Sequence, residues 1–170
     1  WASTDIGKKR RENQDSYLLA RDLKLFAVAD GMGGHNGGEV ASALAVDTID
    51  KAVRAGRFID ESVRAANAHI HATSLADPEL RGMGTTTTGI LFRDRKAYVA
   101  HVGDSRVYRV RAGGIAQLSE DHSLVQQQVR AGLITAEQAK RSPYKSVVSR
   151  SVGIERDVDV DLIELDVCSG

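Results

Sequence analysis

Residues Leu25-Phe26-Ala27-Val28-Ala29 form a short, unbroken apolar run that ends on a carboxylate, Asp30, and leads into Gly31-Met32-Gly33-Gly34-His35. Five consecutive apolar residues suit a strand buried on both faces, the kind that belongs inside a layered fold. Asp30 is the first residue in the segment that gains by meeting water or a cation. Glycines at 31, 33 and 34 let the backbone turn and bring its own carbonyls close to an ion. Taken alone, Asp30-Gly31 fits an ordinary turn better than a metal-binding strand end.

The surrounding pattern sets the architecture. Residues 15–20 and 25–29 read as two strands joined by the polar turn 21–24, a hairpin. Two helices follow: Val40, Leu44, Ile49, Ala52 and Val53 recur at helical spacing over 38–55, and Ile59, Val63, Ala66 and Ile70 over 59–75, with Gly56 between them. Residues 85–92, 96–102 and 106–111 are β-branched or alternating, and the turns at 93–94 and 112–114 predict a three-stranded antiparallel meander. Residues 124–131 read as a helix ended by Gly132, and Thr135-Ala136-Glu137-Gln138 has the form of a capping box. This stretch has little apolar surface, so a flap over about 122–152 is expected. Residues 158–165 read as an outer strand. Strands, then two helices, then more strands imply an α+β fold with helices packed on antiparallel sheets, not a Rossmann design. With two prolines and no repeats, residues 1–170 are expected to form a single domain.

Charge narrows the partners. Lys and Arg total 23, as do Asp and Glu, so no net field draws the chain to nucleic acid or anionic lipid. Any anion it binds must be held locally. The single cysteine, Cys168, provides no disulfide framework and fits a reducing compartment, so a cytoplasmic location is expected. No segment has the length of a membrane span, and the amino terminus lacks the pattern of a signal peptide.

Three carboxylates occupy comparable places: Asp15 at the edge of the first strand, Asp30 at the end of the second, and Asp104 in Gly103-Asp104-Ser105-Arg106 between two meander strands. Side chains at neighbouring strand ends can converge, and hard oxygen ligands suit Mg²⁺ or Mn²⁺, whereas no zinc spacing occurs. Arg10 and Arg11, just before Asp15, could grip a phosphate beside an ion, or could belong to a solvated basic run with Lys8 and Lys9.

Arg10 to Asp15, Asp30-Gly31-Met32-Gly33-Gly34-His35, Gly82-Met83-Gly84-Thr85-Thr86 and Gly103-Asp104-Ser105-Arg106, in that order, resemble the successive signatures of metal-dependent PP2C-type (PPM) protein phosphatases of the bacterial branch. Asp121-His122-Ser123-Leu124 and Gly132-Leu133-Ile134-Thr135 are similar to the family's segment leading into its flap. The resemblance implies a four-layer α-β-β-α sandwich of two antiparallel sheets flanked by helix pairs. It also implies hydrolysis of phosphoserine and phosphothreonine in proteins by a water activated by two Mn²⁺ or Mg²⁺ ions. By the same resemblance, Asp30 bridges the two metals, the Gly31 carbonyl binds one, and Asp15 holds a metal-associated water. Asp104 corresponds to a third, weaker metal site, and Arg10 to the phosphate-binding arginine. Phosphorylated substrates of a serine/threonine kinase are the implied partners.

Some residues depart from that pattern or read as structural. Gln14 stands where many relatives carry Glu. His35 titrates in the range of a general acid, although a loop histidine capping a backbone group is the preferred reading. His101 and His122 read as structural, and Thr85 to Thr88 as strand residues with locally satisfied hydroxyls. The family continues beyond a segment like residues 164–170 into further strands that carry two more metal-binding aspartates, so the fold is expected to be incomplete at its C-terminal end. The 170 residues alone are expected to be inactive or nearly so. Two function classes stand side by side: the amino-terminal part of an active phosphatase, or a non-catalytic phosphatase-like module that binds phosphoproteins or a regulator. A nucleotide-binding loop is disfavoured, because Asn36 stands where the dinucleotide fingerprint needs glycine and no Gly-Lys-Ser/Thr occurs.

Overall fold

The computed structural model describes residues 1–8, 12–33 and 37–167. Strands β1 (Asp15–Ala20) and β2 (Leu25–Met32) form the expected hairpin, and Lys24 takes a left-handed conformation to close its turn. Helices α1 (Gly37–Arg54) and α2 (Ile59–Ala76) follow, separated by Gly56 with a positive φ. Then come β3 (Gly84–Thr85), β4 (Thr87–Arg93), β5 (Lys96–Val102), β6 (Tyr108–Arg111) and β7 (Gly114–Gln117). Two short helices, α3 (Leu124–Arg130) and α4 (Ala136–Arg141), precede the last strand, β8 (Asp161–Asp166).

The main sheet is antiparallel with the order β1-β2-β4-β5-β8, and β3 continues the ladder beside the end of β2. β8 is the outer strand that its alternation predicts. The expected meander is only partly formed. β4 pairs with β5, but β6 leaves the sheet and pairs with β7 in a separate two-stranded sheet, and β8 takes the place beside β5. The reason is local. Gly103 follows β5 with φ +113°, and this conformation turns the chain out of the ladder before β6 begins. A second difference concerns Asp30 and Gly31. They do not end β2: Asp30 pairs with Asp15, and the strand continues through Gly31 and Met32 against β3.

One face of the sheet carries the helix pair: α1 lies against β1, β2 and β3, and α2 against β4 and β5. Leu25, Ala27 and Ala29 point to the helix side, as do Leu91 and Ala100. Leu25, Ala29, Leu91 and Ala100 join Ala41, Ala45 and Ile49 of α1 and Val63, Ala66 and Ile70 of α2 in one buried core. Each large side chain fully removed from water here stabilises the fold by about 1.5–3 kcal/mol. The helix-side residues of β2 shrink from Leu25 through two alanines to Gly31, which lets the start of α1 close on the strand. A Cβ on Gly31 would lie 1.9 Å from the Gly38 carbonyl oxygen, so only glycine fits there.

The opposite face carries no helix among the described residues. Tyr17, Leu19 and Val28 are exposed there, and the hairpin β6–β7 exposes Tyr108, Val110 and Ile115. The helix pair and the main sheet thus form two packed layers of the sandwich that the resemblance implies. Residues 122–152 bury little. α3 starts on a Ser123 cap and buries only Val125. α4 starts on the Thr135–Gln138 capping box and buries nothing.

Candidate metal centre

Asp15 and Asp30 face each other directly across the β1–β2 ladder, on the helix-free face. Two carboxylates directly opposite each other on a ladder repel unless a positive group lies near, by on the order of 0.2–1 kcal/mol. A divalent cation between them would relieve that repulsion. They line one cleft of about 220 Å³ with Ser3, Thr4 and Ser105. A larger hollow of about 470 Å³ lies on the same face between Tyr17, Phe26, Val28, Ile90 and Tyr108, but no carboxylate lines it.

Backbone and hydroxyl contacts hold both acids in place. The Asp15 amide donates to Asn13 Oδ1 (3.0 Å), Asn13 Nδ2 donates to Thr4 Oγ1 (2.8 Å), and Thr4 Oγ1 reaches the Asp15 carboxylate at 3.5 Å. The Asp30 amide donates to Thr86 Oγ1 (3.1 Å), while its carbonyl accepts from the Thr86 amide (2.9 Å) and the Thr85 hydroxyl (3.0 Å). Gly31 donates its amide to the Gln14 carbonyl (3.0 Å), which ties the segment before β1 to the middle of the site. Thr86 is therefore a supporting residue that sequence reasoning missed. The signal lies in the threonine run 85–88, which reads as strand residues with locally satisfied hydroxyls and, at Thr85-Thr86, as part of a family signature. In that run Thr85, Thr86 and Thr88 have hydroxyl partners, but the buried Thr87 hydroxyl has none among the described residues.

Asp104 is not part of the same cleft; its neighbour Ser105 is, and Ser105 Oγ lies 2.8 Å from Thr86 Oγ1. Among the described residues, no group of three or more His, Cys, Asp or Glu is placed to hold a metal. Two opposed carboxylates beside hydroxyls still fit a hard divalent cation in part, without closing an oxygen shell. Arg10 and His35 lie outside the described residues.

The described histidines have structural partners. His69 Nδ1 lies 2.9 Å from Thr48 Oγ1, and His71 Nδ1 lies 3.3 Å from the Gly153 carbonyl. His101 is fully buried between the Thr88 hydroxyl (2.8 Å) and the Glu120 carbonyl (2.9 Å). A carbonyl only accepts, so His101 Nε2 carries the proton and Nδ1 accepts from Thr88. Burial lowers its pKa by disfavouring the charged ring.

The order of the signatures can now be set against known proteins. The family model described as protein phosphatase 2C matches residues 7–146. The chain belongs to the protein phosphatase 2C family. It is 42% identical over 157 residues to the serine/threonine protein phosphatase PstP of Mycobacterium tuberculosis, which covers 89% of this chain and 30% of that protein. It is 36% identical over 170 residues to the protein phosphatase PhpP of Streptococcus pneumoniae, covering 93% of this chain and 69% of PhpP. The chain thus spans under a third of PstP and about two thirds of PhpP. In three dimensions it matches the catalytic domain of PstP solved in complex with 2 manganese ions, with a TM-score of 0.85 and 35% identity over 98% of this chain and 71% of that one. The protein phosphatase 2C fold therefore accounts for the antiparallel sheets and the helix pair. No helix among the described residues is long and apolar enough to cross a membrane.

Proposed function

We propose that the intact protein hydrolyses phosphoserine and phosphothreonine esters on proteins, with Mn²⁺ or Mg²⁺ held at the Asp15–Asp30 cleft. The supporting observation is the register that sets Asp15 and Asp30 face to face on the helix-free side of the sheet. Asp30 and the Gly31 carbonyl would hold the metals, Asp15 would orient water beside them, and Asp104 would serve a third, weaker site. When bound, the ions supply an activated water for in-line attack on phosphorus and draw off developing charge. The protein contributes by positioning. Thr85 and Thr86 fix the Asp30 backbone, and Asn13 and Thr4 fix Asp15. Arg10 would bind the phosphate, and His35 is at most a proton donor to the leaving oxygen.

The partners would be phosphoproteins made by a serine/threonine kinase in the cytoplasm. Residues 1–170 read as one phosphatase domain with 122–152 as its flap. Because no group of three or more His, Cys, Asp or Glu is placed to hold a metal among the described residues, the 170-residue chain alone is expected to turn over little or nothing. The test is Mn²⁺-dependent phosphate release from a phosphothreonine peptide by the intact protein, with Asp30→Asn abolishing it. No release from the folded intact protein, with the peptide still bound, would favour the non-catalytic module.

A further inference from the structure

We infer that His122 is a positioning residue that sets the place of the Gly103-Asp104-Ser105 loop by gripping the Gly103 peptide unit from both sides. Its bearing on Asp104 rests on the function proposed above. The His122 amide donates to the Gly103 carbonyl (2.8 Å), and the Gly103 amide donates to His122 Nδ1 (3.0 Å). One residue therefore satisfies both polar groups of the glycine that turns the chain out of β5.

The ring's proton follows from this geometry. Nδ1 accepts from an N–H, so in the neutral ring the proton sits on Nε2, which faces Asp161 Oδ2 at 3.1 Å. Arg150 Nη1 donates to the other oxygen of that carboxylate at 2.6 Å. Arg150 also lies 3.0 Å from His122 Nε2, but two donors cannot bond each other, so both converge on Asp161. His122 is nearly buried, and its ring centroid is 4.8 Å from that of His101, whose two nitrogens are both engaged. The Gly103 amide on Nδ1 and Asp161 on Nε2 together fix the orientation of the ring.

The loop has matching constraints on its other side. A Cβ on Gly103 would lie 2.6 Å from Thr86 Cβ, and Thr86 takes the Asp30 amide while its hydroxyl meets Ser105. Asp104 thus sits on a segment held between Thr86 and His122. The backbone carbonyl of His122 also accepts from the Ser149 amide (2.8 Å), which joins the two ends of the 122–152 segment at the same residue.

The two hydrogen-bonding functions of the ring can be separated by substitution. In His122→Asn the amide oxygen can take the place of Nδ1 and still accept from Gly103, but it does not reach Asp161. In His122→Gln the longer side chain reaches toward Asp161 and gives up Nδ1. In His122→Leu both contacts are lost. Amide hydrogen exchange of the intact, metal-free protein reads the result. Residues 103–105 should exchange about tenfold or more faster in His122→Leu and His122→Gln, because Gly103 loses its acceptor, and near the wild-type rate in His122→Asn. Core amides of β4 and β5 should be unchanged. The Mn²⁺ concentration for half-maximal phosphopeptide hydrolysis should rise in the same order. Wild-type exchange at 103–105 in His122→Gln, or equal exchange in the Asn and Gln variants, overturns the inference. If His122→Leu does not fold, the Asn and Gln pair decides alone. The exchange measurement needs neither metal nor turnover, so absence of phosphatase activity would refute the proposed function and leave this test standing.

Discussion

On one face of β2, Leu25, Ala27, Ala29 and Gly31 lie under α1 and shrink toward the site; on the other, Phe26, Val28 and Asp30 face away from any helix. Alternate residues of a single strand therefore serve different ends. The helix side trades side-chain size for close approach, and its energy is apolar burial. The other side keeps a carboxylate opposite a second carboxylate, an arrangement that suits a cation better than it suits packing. A strand buried on both faces would not show this division. It arises because the helix pair covers one face only.

The sharpest way to break the comparison is Asp30→Asn in the intact protein. Losing the proposed metal ligand should lower phosphatase turnover about 10³-fold or more. Its thermal midpoint should change little, because Asp30 is exposed and lies outside the buried core. A large loss of stability would mean that Asp30 belongs to the structural face after all. Next in size, Leu25→Ala should destabilise the 170-residue chain by about 2–5 kcal/mol in denaturant titrations, since the side chain is fully buried under the helices.

The buried His101 predicts a pH effect on the same structural side. Its folded pKa is lowered by burial, so below the ordinary value of 6.5 the unfolded chain takes up a proton that the folded chain resists. Stability should therefore fall as pH drops below about 6.5, and His101→Gln should flatten that slope in denaturation midpoints measured from pH 8 to 5. Asp161 acts in a lower window. Burial alone would push its carboxyl up, but the His122 and Arg150 contacts outweigh it and hold the pKa below 3.8. Its contribution is present above that value and lost as acid titrates the folded carboxylate. The smallest expected effect is Val28→Thr, within about 0.5 kcal/mol in the 170-residue chain, because half of Val28 is already exposed. A cost matching that of Leu25→Ala would show that something covers the outer face.

Local signals were enough for the hairpin, both long helices and the capped helix α4, because their polar and apolar spacing is decided within a few residues. Two readings failed where the deciding contact is distant. The stretch 106–111 has the composition of a meander strand, but Gly103 must be squeezed against Thr86 and turned before the chain can leave the sheet. Asp30-Gly31 looked like a strand end because glycine after an acid usually turns. Pairing with β3, more than fifty residues away, keeps it extended.

The amino-acid sequence alone determined the family, because ordered short motifs carry that information without geometry. It also determined which turns and helices form, since φ preferences and caps are local. Only the tertiary structure decided that Asp15 and Asp30 share a cleft while Asp104 stands outside it, because strand register sets which side chains face each other. It likewise decided that His122, structural by its sequence context, grips the Gly103 peptide, a contact between residues nineteen positions apart that no local pattern encodes.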